Sequence, residues 1–416
     1  MKTIKLDKYK KYKSDGIDWL GEFPAHWEAK RIKDLSALQS GDNIVSDQIE
    51  ETGLYPVYGG GGLRGYCSSY TNDGDHILIG RQGALCGNIN YAFGKFWASE
   101  HAIVVYEKRY IKTKWYGEML RVMNLNQYSI SAAQPGLAVD RIKRLLLPVP
   151  PLEEQQAIAD YLDAKTAQID RKIELLEDKA EKYADLKQSL INETVTRGLD
   201  RTVPLKDSGV EWIGEIPSHW KMKRLKDLFV ESKNKSESGK ETLLSVSEYT
   251  GVTQTKDNLE EDEHLTRSES LVGYKICKKN NLVVNIMLAW KRGLGISPFN
   301  GIVSPSYAVY SPKKGVFPTY FHYLLRTENT IAEFKRNSTG IIESRLRLYT
   351  DSFYDISVAT PDVNEQKAIA DYLETKTTHI EKIIETVRLE IEKLKELRKT
   401  LINDVVTGKI KVTKET

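Results

Sequence analysis

Residues 154–173 read EQQAIADYLDAKTAQIDRKI, and residues 365–384 read EQKAIADYLETKTTHIEKII. At an offset of 211, 12 of these 20 positions are identical. Each stretch opens a charged run without Gly or Pro, about 153–196 in one case and 364–406 in the other. Runs of that kind and length are helices, and about 40 residues at 1.5 Å each would extend roughly 60 Å.

The apolar positions of the two runs coincide. A 4,3 alternation passes through Leu162, Thr166, Ile169, Ile173, Leu176, Ala180, Tyr183, Lys187 and Leu190. Adding 211 gives Leu373, Thr377, Ile380, Ile384, Val387, Ile391, Leu394, Arg398 and Leu401. A mean spacing of 3.5 residues is that of a coiled-coil seam. Pro148, Pro150, Pro151 and Pro361 stand before the first turns, which carry Glu153, Glu154 and Glu365. Pro before a helix and acids in its first turn suit the free N–H groups there. Gly198 and Gly408 follow the last turns, where a left-handed residue ends a helix. The expected arrangement is an antiparallel pair within one chain, since both seams are present in it. Separate packing of each helix on its own domain is the simpler alternative, and a parallel homodimer is a second.

Outward from the helices, a second repeat appears. Residues 14–35, SDGIDWLGEFPAHWEAKRIKDL, match 207–228, DSGVEWIGEIPSHWKMKRLKDL, at 12 of 22 positions with an offset of 193. The difference between the offsets makes the second half 18 residues longer between its repeated parts. The inserts, roughly 36–149 and 229–360, show little similarity to each other. A period near 200 residues is a domain duplication and not a solenoid of short repeats. The expected division is 1–149, a first insert with its repeat segment; 150–200, a central long helix; 201–360, a second insert with its repeat segment; and 361–416, a C-terminal long helix.

The chain has 416 residues, 61 Lys and Arg against 58 Asp and Glu, and a net charge of +3. That balance excludes a uniformly basic nucleic-acid coat. Cys67, Cys86 and Cys277 form no CxxC pair, which argues against a disulfide framework or zinc knuckle and for a reducing, cytoplasmic setting. No apolar run reaches the length of a membrane span, and the basic N-terminus lacks the apolar core of a secretory signal.

Both inserts hold β-branched and aromatic runs between turn residues: YPVYGGGG (55–62), HILIGRQGALCGNINYAFG (76–94), HAIVVYE (101–107), LLSVSEYTGV (243–252), NLVVNIMLAW (281–290) and GIVSPSYAVY (301–310). They read as strands, with shorter helices near 115–125 and 318–335, so the class is α+β with β-rich inserts. Catalytic motifs are missing. GGGLRG (60–65) fits a dinucleotide fingerprint by letter, but strand and turn residues follow it where a helix is needed. There is no Walker-type loop, no [ND]-P-P-[FYW], and no paired-histidine zinc motif. Pro361-Asp362 with Glu365-Gln366-Lys367 imitates a nuclease motif at a helix entry, where the carboxylates would not converge on one ion. His26 and His219 lie inside the repeated Pro-x-His-Trp and read as structural. No metal site, cofactor or catalytic residue is expected in this chain.

What remains is a diffuse nucleic-acid pattern on the turns. The candidates are Gly60, Gly61, Arg64, Arg81, Gln82, Asn88 and Gln134 in the first insert, and Trp290, Lys291, Arg292, Arg345 and Arg347 in the second. Arg pairs with guanine, Gln and Asn pair with adenine, and glycine lets a backbone approach closely. Singly, each reads as a solvated surface residue; the grouping on loops of two parallel domains carries the signal.

The duplicated frame, with (D/S)-G-(I/V)-(D/E)-W-(L/I)-G-E-(F/I)-P-x-H-W and E-Q-x-A-I-A-D-Y-L each occurring twice, resembles the DNA-specificity subunits of type I restriction-modification enzymes. The phrases GRQGALCGN, FWASEHA and LVVNIMLAW…GIVSPSYAVY resemble phrases of that family's target-recognition domains, so the resemblance covers nearly the whole chain. It implies two β-rich target-recognition domains and two long helices forming an intramolecular antiparallel coiled coil, related by a pseudo-twofold repeat. Each domain would read one half of a bipartite, asymmetric site on double-stranded DNA, and the coiled coil would set the spacer. Two modification (methyltransferase) subunits would dock on the frame, and restriction (endonuclease/translocase) subunits would join them. S-adenosylmethionine, ATP and Mg would sit on those partners, and the chain would be non-catalytic. A self-contained restriction or modification enzyme, or a scaffold that binds no DNA, are the competing readings. The first needs a catalytic motif, and the second predicts no salt-dependent DNA binding.

Overall fold

The β-branched runs of the first insert, His76–Gly80 and Ala102–Glu107, are neighbouring strands in a four-stranded antiparallel sheet. The structure is a computed structural model and describes residues 7–129, 136–255 and 270–412. The order across this sheet is Ser36–Ser40, Ala102–Glu107, His76–Gly80, Ile89–Ala92. In the second insert the order is Phe229–Glu231, Tyr307–Pro312, Leu282–Asn285, Leu294–Ile296, again antiparallel throughout. The topology is the same although the sequences have diverged. What alternation of apolar residues requires is a buried face, and many different sequences supply one.

The rest of each insert differs. The first adds a sheet in the order Gly62–Cys67, Tyr55–Gly59, Lys95–Ala98, Asn72–Asp73, with a parallel pairing between Tyr55–Gly59 and Lys95–Ala98. The second has two separate strand pairs, Leu244–Ser247 with Gly251–Gln254 and Lys275–Cys277 with Gly301–Val303. The shared sheet also locates the extra residues of the second half. The offset is 193 in the repeated frame and 205 at the strands beginning at Ala102 and Tyr307, then 211 at the long helices. Twelve of the extra residues therefore precede the last strand of the shared sheet and six follow it.

The stretch expected to be one helix near 318–335 is two, Pro318–Leu324 and Glu328–Arg336. Thr327 lies between them and caps the second, its hydroxyl accepting from the Thr330 N–H at 3.4 Å. A threonine hydroxyl that satisfies a free first-turn N–H favours a fresh start over continuation.

The long helices span Leu152–Arg197 and Val363–Val406. The chain divides into two compact units: residues up to Glu177 with those from Arg388 onward, and Asp178–Val387. Each long helix thus gives half its length to each unit. In the first unit, Asp170 meets Arg398 and Lys172 meets Glu390, and Ile158 and Leu162 share a core with Ile402, Val405 and Val406. In the second, Lys187 meets Glu381, and Val195 shares a core with Ile369 and Leu373. Ascending numbers on one helix face descending numbers on the other, so within each unit the segments pair antiparallel. Every position of the 4,3 alternation is buried or half-buried.

The repeated Pro-x-His-Trp explains how each insert is held on its helix. Glu154, in the first turn of the first long helix, accepts from Trp27 Nε1–H at 3.0 Å and lies 2.6 Å from His26 Nε2. Glu365 does the same with Trp220 Nε1–H at 3.2 Å and His219 Nε2 at 2.8 Å. The next residues, Gln155 and Gln366, are buried and reach into the inserts. Gln155 Oε1 accepts the Lys112 N–H, just before the helix Thr113–Val122, and Gln366 Oε1 accepts the Phe317 N–H, just before Pro318–Leu324. Within each unit the same tryptophan also meets the end of the other long helix. A Cβ on Gly408 would lie 3.0 Å from Trp27, and one on Gly198 would lie 3.4 Å from Trp220. Both glycines have φ near +75°, the left-handed turn that ends a helix. Both histidines are therefore frame residues. Asp362, half of the nuclease-like pattern, accepts from the Asn364 and Glu365 N–H groups as a helix cap.

Candidate nucleic-acid interface

Two loops leave the shared sheet at matching places in both units. In the first, the Gly80 N–H donates to Asn88 O at 2.8 Å and closes the loop 81–87. In the second, the Asn285 N–H donates to Gly293 O at 2.8 Å and closes 286–292, a loop of the same length. A second segment then lies beside each. Leu137 N–H donates to Arg81 O, and Leu348 N–H donates to Ile286 O, both at 2.9 Å. The scattered candidates fall on these paired positions. Arg81, Gln82 and Asn88 share one loop; Trp290, Lys291 and Arg292 occupy or adjoin its counterpart; Arg345 and Arg347 precede Leu348. Gln134 lies outside the described residues.

In the first unit the loop faces a glycine hairpin. GGGLRG is a strand–turn–strand, with Gly59 paired to Gly62 and the strand Gly62–Cys67 following directly. No helix N-terminus adjoins it, so the dinucleotide geometry is absent. The hairpin and the loop enclose a cavity of about 550 Å³, which brings Gly60, Gly61, Arg64 and Gln82 together with Leu85 and His101. The Arg64 stem lies across Gly59, where a Cβ would come 2.5 Å from Cδ. The tip of Leu85 lies over Gly61 in the same way, at 2.4 Å. Side chains at either glycine would displace these walls. Arg81 contributes main chain to this architecture, its N–H donating to His101 O at 2.8 Å, and Asn88 is exposed at the loop closure.

The counterpart loop of the second unit is built around a tryptophan. Trp290 is fixed by Nε1–H donating to Met287 O at 3.0 Å. Lys291 and Lys335 place their ammonium groups 5.0 and 5.3 Å from its ring centroid, within cation–π range. Lys335 is also paired with Glu343, and Arg292 with Glu328 at 3.4 Å. Arg292 has φ +64°, a left-handed turn uncommon outside glycine and asparagine, which brings the chain back to Gly293. Arg326 holds this surface from beneath. Its guanidinium donates to the carbonyls of Arg292 and Leu294, and to those of Glu248 and Tyr249 at 2.8 Å each. Burial, with the Arg292 charge adding, draws its pKa down to about 10. Tyr249, on the turn so held, is 84% exposed.

Arg345 is exposed, whereas Arg347 bends back to the carbonyls of Ser344 and Leu346. Its own loop is closed by reciprocal hydrogen bonds with Thr339 at 2.9 Å. Arg347 is thus a loop fastener whose guanidinium is already engaged. Residues that sequence reading passed over are Leu85, His101, Tyr249, Arg326 and Lys335. His101 stood within FWASEHA, and Lys335 was absorbed into a helix. For Arg326 no pattern was visible, because its partners are main-chain carbonyls from distant segments. Among the described residues, no three of His, Cys, Asp and Glu gather closely enough to hold a metal ion, and no helix is long and apolar enough to cross a membrane.

Comparison with known proteins adds to this geometry. The family model for the type I restriction modification DNA specificity domain matches residues 24–182 and 217–393. The chain is 46% identical over 138 residues to the type I restriction enzyme EcoprrI specificity subunit of Escherichia coli; that match covers 32% of this chain and 34% of the relative, so it spans about a third of the relative's length. It is 25% identical over 426 residues to the type I restriction enzyme MjaVIII specificity subunit of Methanocaldococcus jannaschii, covering 94% of each. A chain from a solved structure of the type I R-M system has the same fold, with a TM-score of 0.67 at 13% identity over 93% of this chain and 99% of that one.

Proposed function

This chain belongs to the type I restriction modification DNA specificity domain family, and from that premise we propose that it is the address-reading subunit of a restriction-modification complex. Each unit reads one half of a bipartite, asymmetric site on double-stranded DNA. The single observation that carries this is the pair of equal-length loops at matching places on two sheets of the same topology, one bearing glycine, amide and arginine, the other tryptophan and cations. A common frame with different chemistry at corresponding positions is what reading two unlike half-sites requires. Base edges differ in donors, acceptors and methyl groups, so different side chains select different bases.

The long helices fix the spacing between half-sites, much as dimeric readers fix theirs by symmetry. Two modification subunits dock on the duplicated frame, one for each copy, and a restriction subunit joins them. S-adenosylmethionine, ATP and Mg belong to those partners. This chain supplies specificity and no chemistry, and the complex acts on DNA in the cytoplasm. The net charge of +3 supports a division of labour in which partners share the grip on phosphate. The test is sequencing of methylated adenines in a host with and without the chain. A bipartite motif that disappears with the chain is the expected result; an unchanged methylation pattern would refute the reading.

A further inference from the structure

We propose that the cavity between the Gly59–Gly62 hairpin and the Gln82–Leu85 loop seats one phosphodiester of the DNA backbone, so that this part of the first unit sets register and does not read a base. The proposal rests on the reading of that unit as a DNA-recognition domain and specifies what this part of its surface takes.

The composition of the walls favours an anion over a nucleobase. No Phe, Tyr or Trp lines the cavity; His101 is its one ring, and four of the nine lining residues are glycines, Gly60, Gly61, Gly83 and Gly136. A splayed base is ordinarily held by stacking on an aromatic ring. A phosphate is held by arginine and by main-chain N–H groups that can be approached closely, which is the service glycine performs. Among the described residues, the N–H groups of Ala84 and Leu85 find no main-chain acceptor, while Gly83 adjoins the bridge between Gln82 and Gly136. Gly83 has φ +83°, and successive N–H groups in a turn with a left-handed residue form an anion-binding concavity.

The charge is placed to match. Arg64 lines the cavity with its stem laid flat on Gly59, which restricts where the guanidinium points. It makes no ion pair among the described residues. His101, on the same wall, lies 3.1 Å from Glu100, and Arg64 is the only Lys or Arg among the lining residues. The corresponding loop of the second unit is the opposite in character. There Trp290 packs with two lysines, Lys291 and Lys335, so an aromatic ring takes the place of the first loop's glycines.

The test uses the complete complex with its methylase partners. Binding to a duplex carrying the methylated motif, and to one lacking it, is measured across a range of salt concentrations. Arg64→Gln is expected to weaken both by a similar factor, about tenfold, and to make the slope of log K against log salt shallower by about 0.9, the value of one phosphate contact. Ala84→Asp, at an exposed position on the cavity lip, is expected to do likewise without touching the core. The methylated motif stays unchanged in both. A motif that becomes degenerate at one base overturns the proposal in favour of base reading. Unchanged affinity and slope in both variants overturns it as well. If the wild-type complex binds no duplex in a salt-dependent way, the parent reading falls first and this one with it.

Discussion

Asp170 accepts from Arg398 Nε and Nη2 at 2.8 and 3.3 Å, and 211 residues away by sequence arithmetic the pair recurs as Glu381 with Lys187. The acid sits once on each long helix and the base once on each. One ion pair written twice is the antiparallel register expressed in charge. Both pairs are partly exposed, so each contributes only about 0.2–1 kcal/mol. Asp170→Arg alone should lower the unfolding midpoint slightly, and Asp170→Arg with Arg398→Asp should recover it. A double-mutant cycle by thermal denaturation checks this. Zero coupling would mean that the pair follows from register and does not help to set it.

Glu154 should matter more than its exposure suggests. It serves Trp27, His26 and also Tyr9, whose hydroxyl donates at 2.9 Å. Glu154→Ala leaves a fully buried indole N–H without its partner and is expected to cost about 1–3 kcal/mol. Glu365→Ala, with two donors in place of three, should cost less. Denaturant unfolding followed by tryptophan fluorescence distinguishes them, and an equal loss in both would contradict the role given to Tyr9.

The second unit should weaken in mild acid. His322 packs against Gly251 and Gly295, and burial, with the Arg326 charge second, holds its pKa down at about 4 from an ordinary 6.5. The unfolded chain therefore binds a proton that the folded one refuses between these values. Stability is complete above about pH 6.5 and falls as pH drops toward 4, by about 2 kcal/mol at pH 5. Comparing wild type with His322→Phe at pH 7.5 and pH 5 measures the effect, which the variant should lack.

Exchange of residues 36–149 for the corresponding segment of another family member should change one half of the methylated motif and leave the other half and the spacing alone. Methylome sequencing reads both at once. A change in both halves would end the modular account.

Insertion of one or two residues near Leu176 breaks the seam where a half-turn error cannot be absorbed. The expected outcome is an altered spacing in the methylated motif or loss of assembly with the methylase. Unaltered spacing in an assembled complex would sink the role of the helices as a ruler.

Legibility in the sequence followed physical constraint. The seam from Leu162 to Leu190 and its copy from Leu373 to Leu401 were readable because heptad packing tolerates few residue types. The Pro-x-His-Trp and Glu-Gln repeats were readable as a pair, though nothing along the chain says that Trp27 and Glu154 meet. The common sheet was not legible, since strands such as HILIG and LVVN need only a matching pattern of burial. The candidate positions were partly legible as neighbours. Arg64 and Gln82, named by residue type and turn context, line one cavity, and Trp290 and Lys291 pack together. Type and context could not separate Arg345, which is exposed, from Arg347, which is bound to its own loop. The part of Arg326 depends on carbonyls, and every residue has one.

The closures at Gly80–Asn88 and Asn285–Gly293 have a consequence for how such a protein changes over time. Both hydrogen bonds join main chain to main chain, so they survive most replacements of the side chains they enclose. An exposed substitution inside either loop changes the surface the loop presents while leaving its main-chain closure in place. Under the proposed function, the chemistry a loop shows to DNA and the bonds that hold the loop shut lie in different atoms, side chain for the one and main chain for the other, so the first can vary while the second persists.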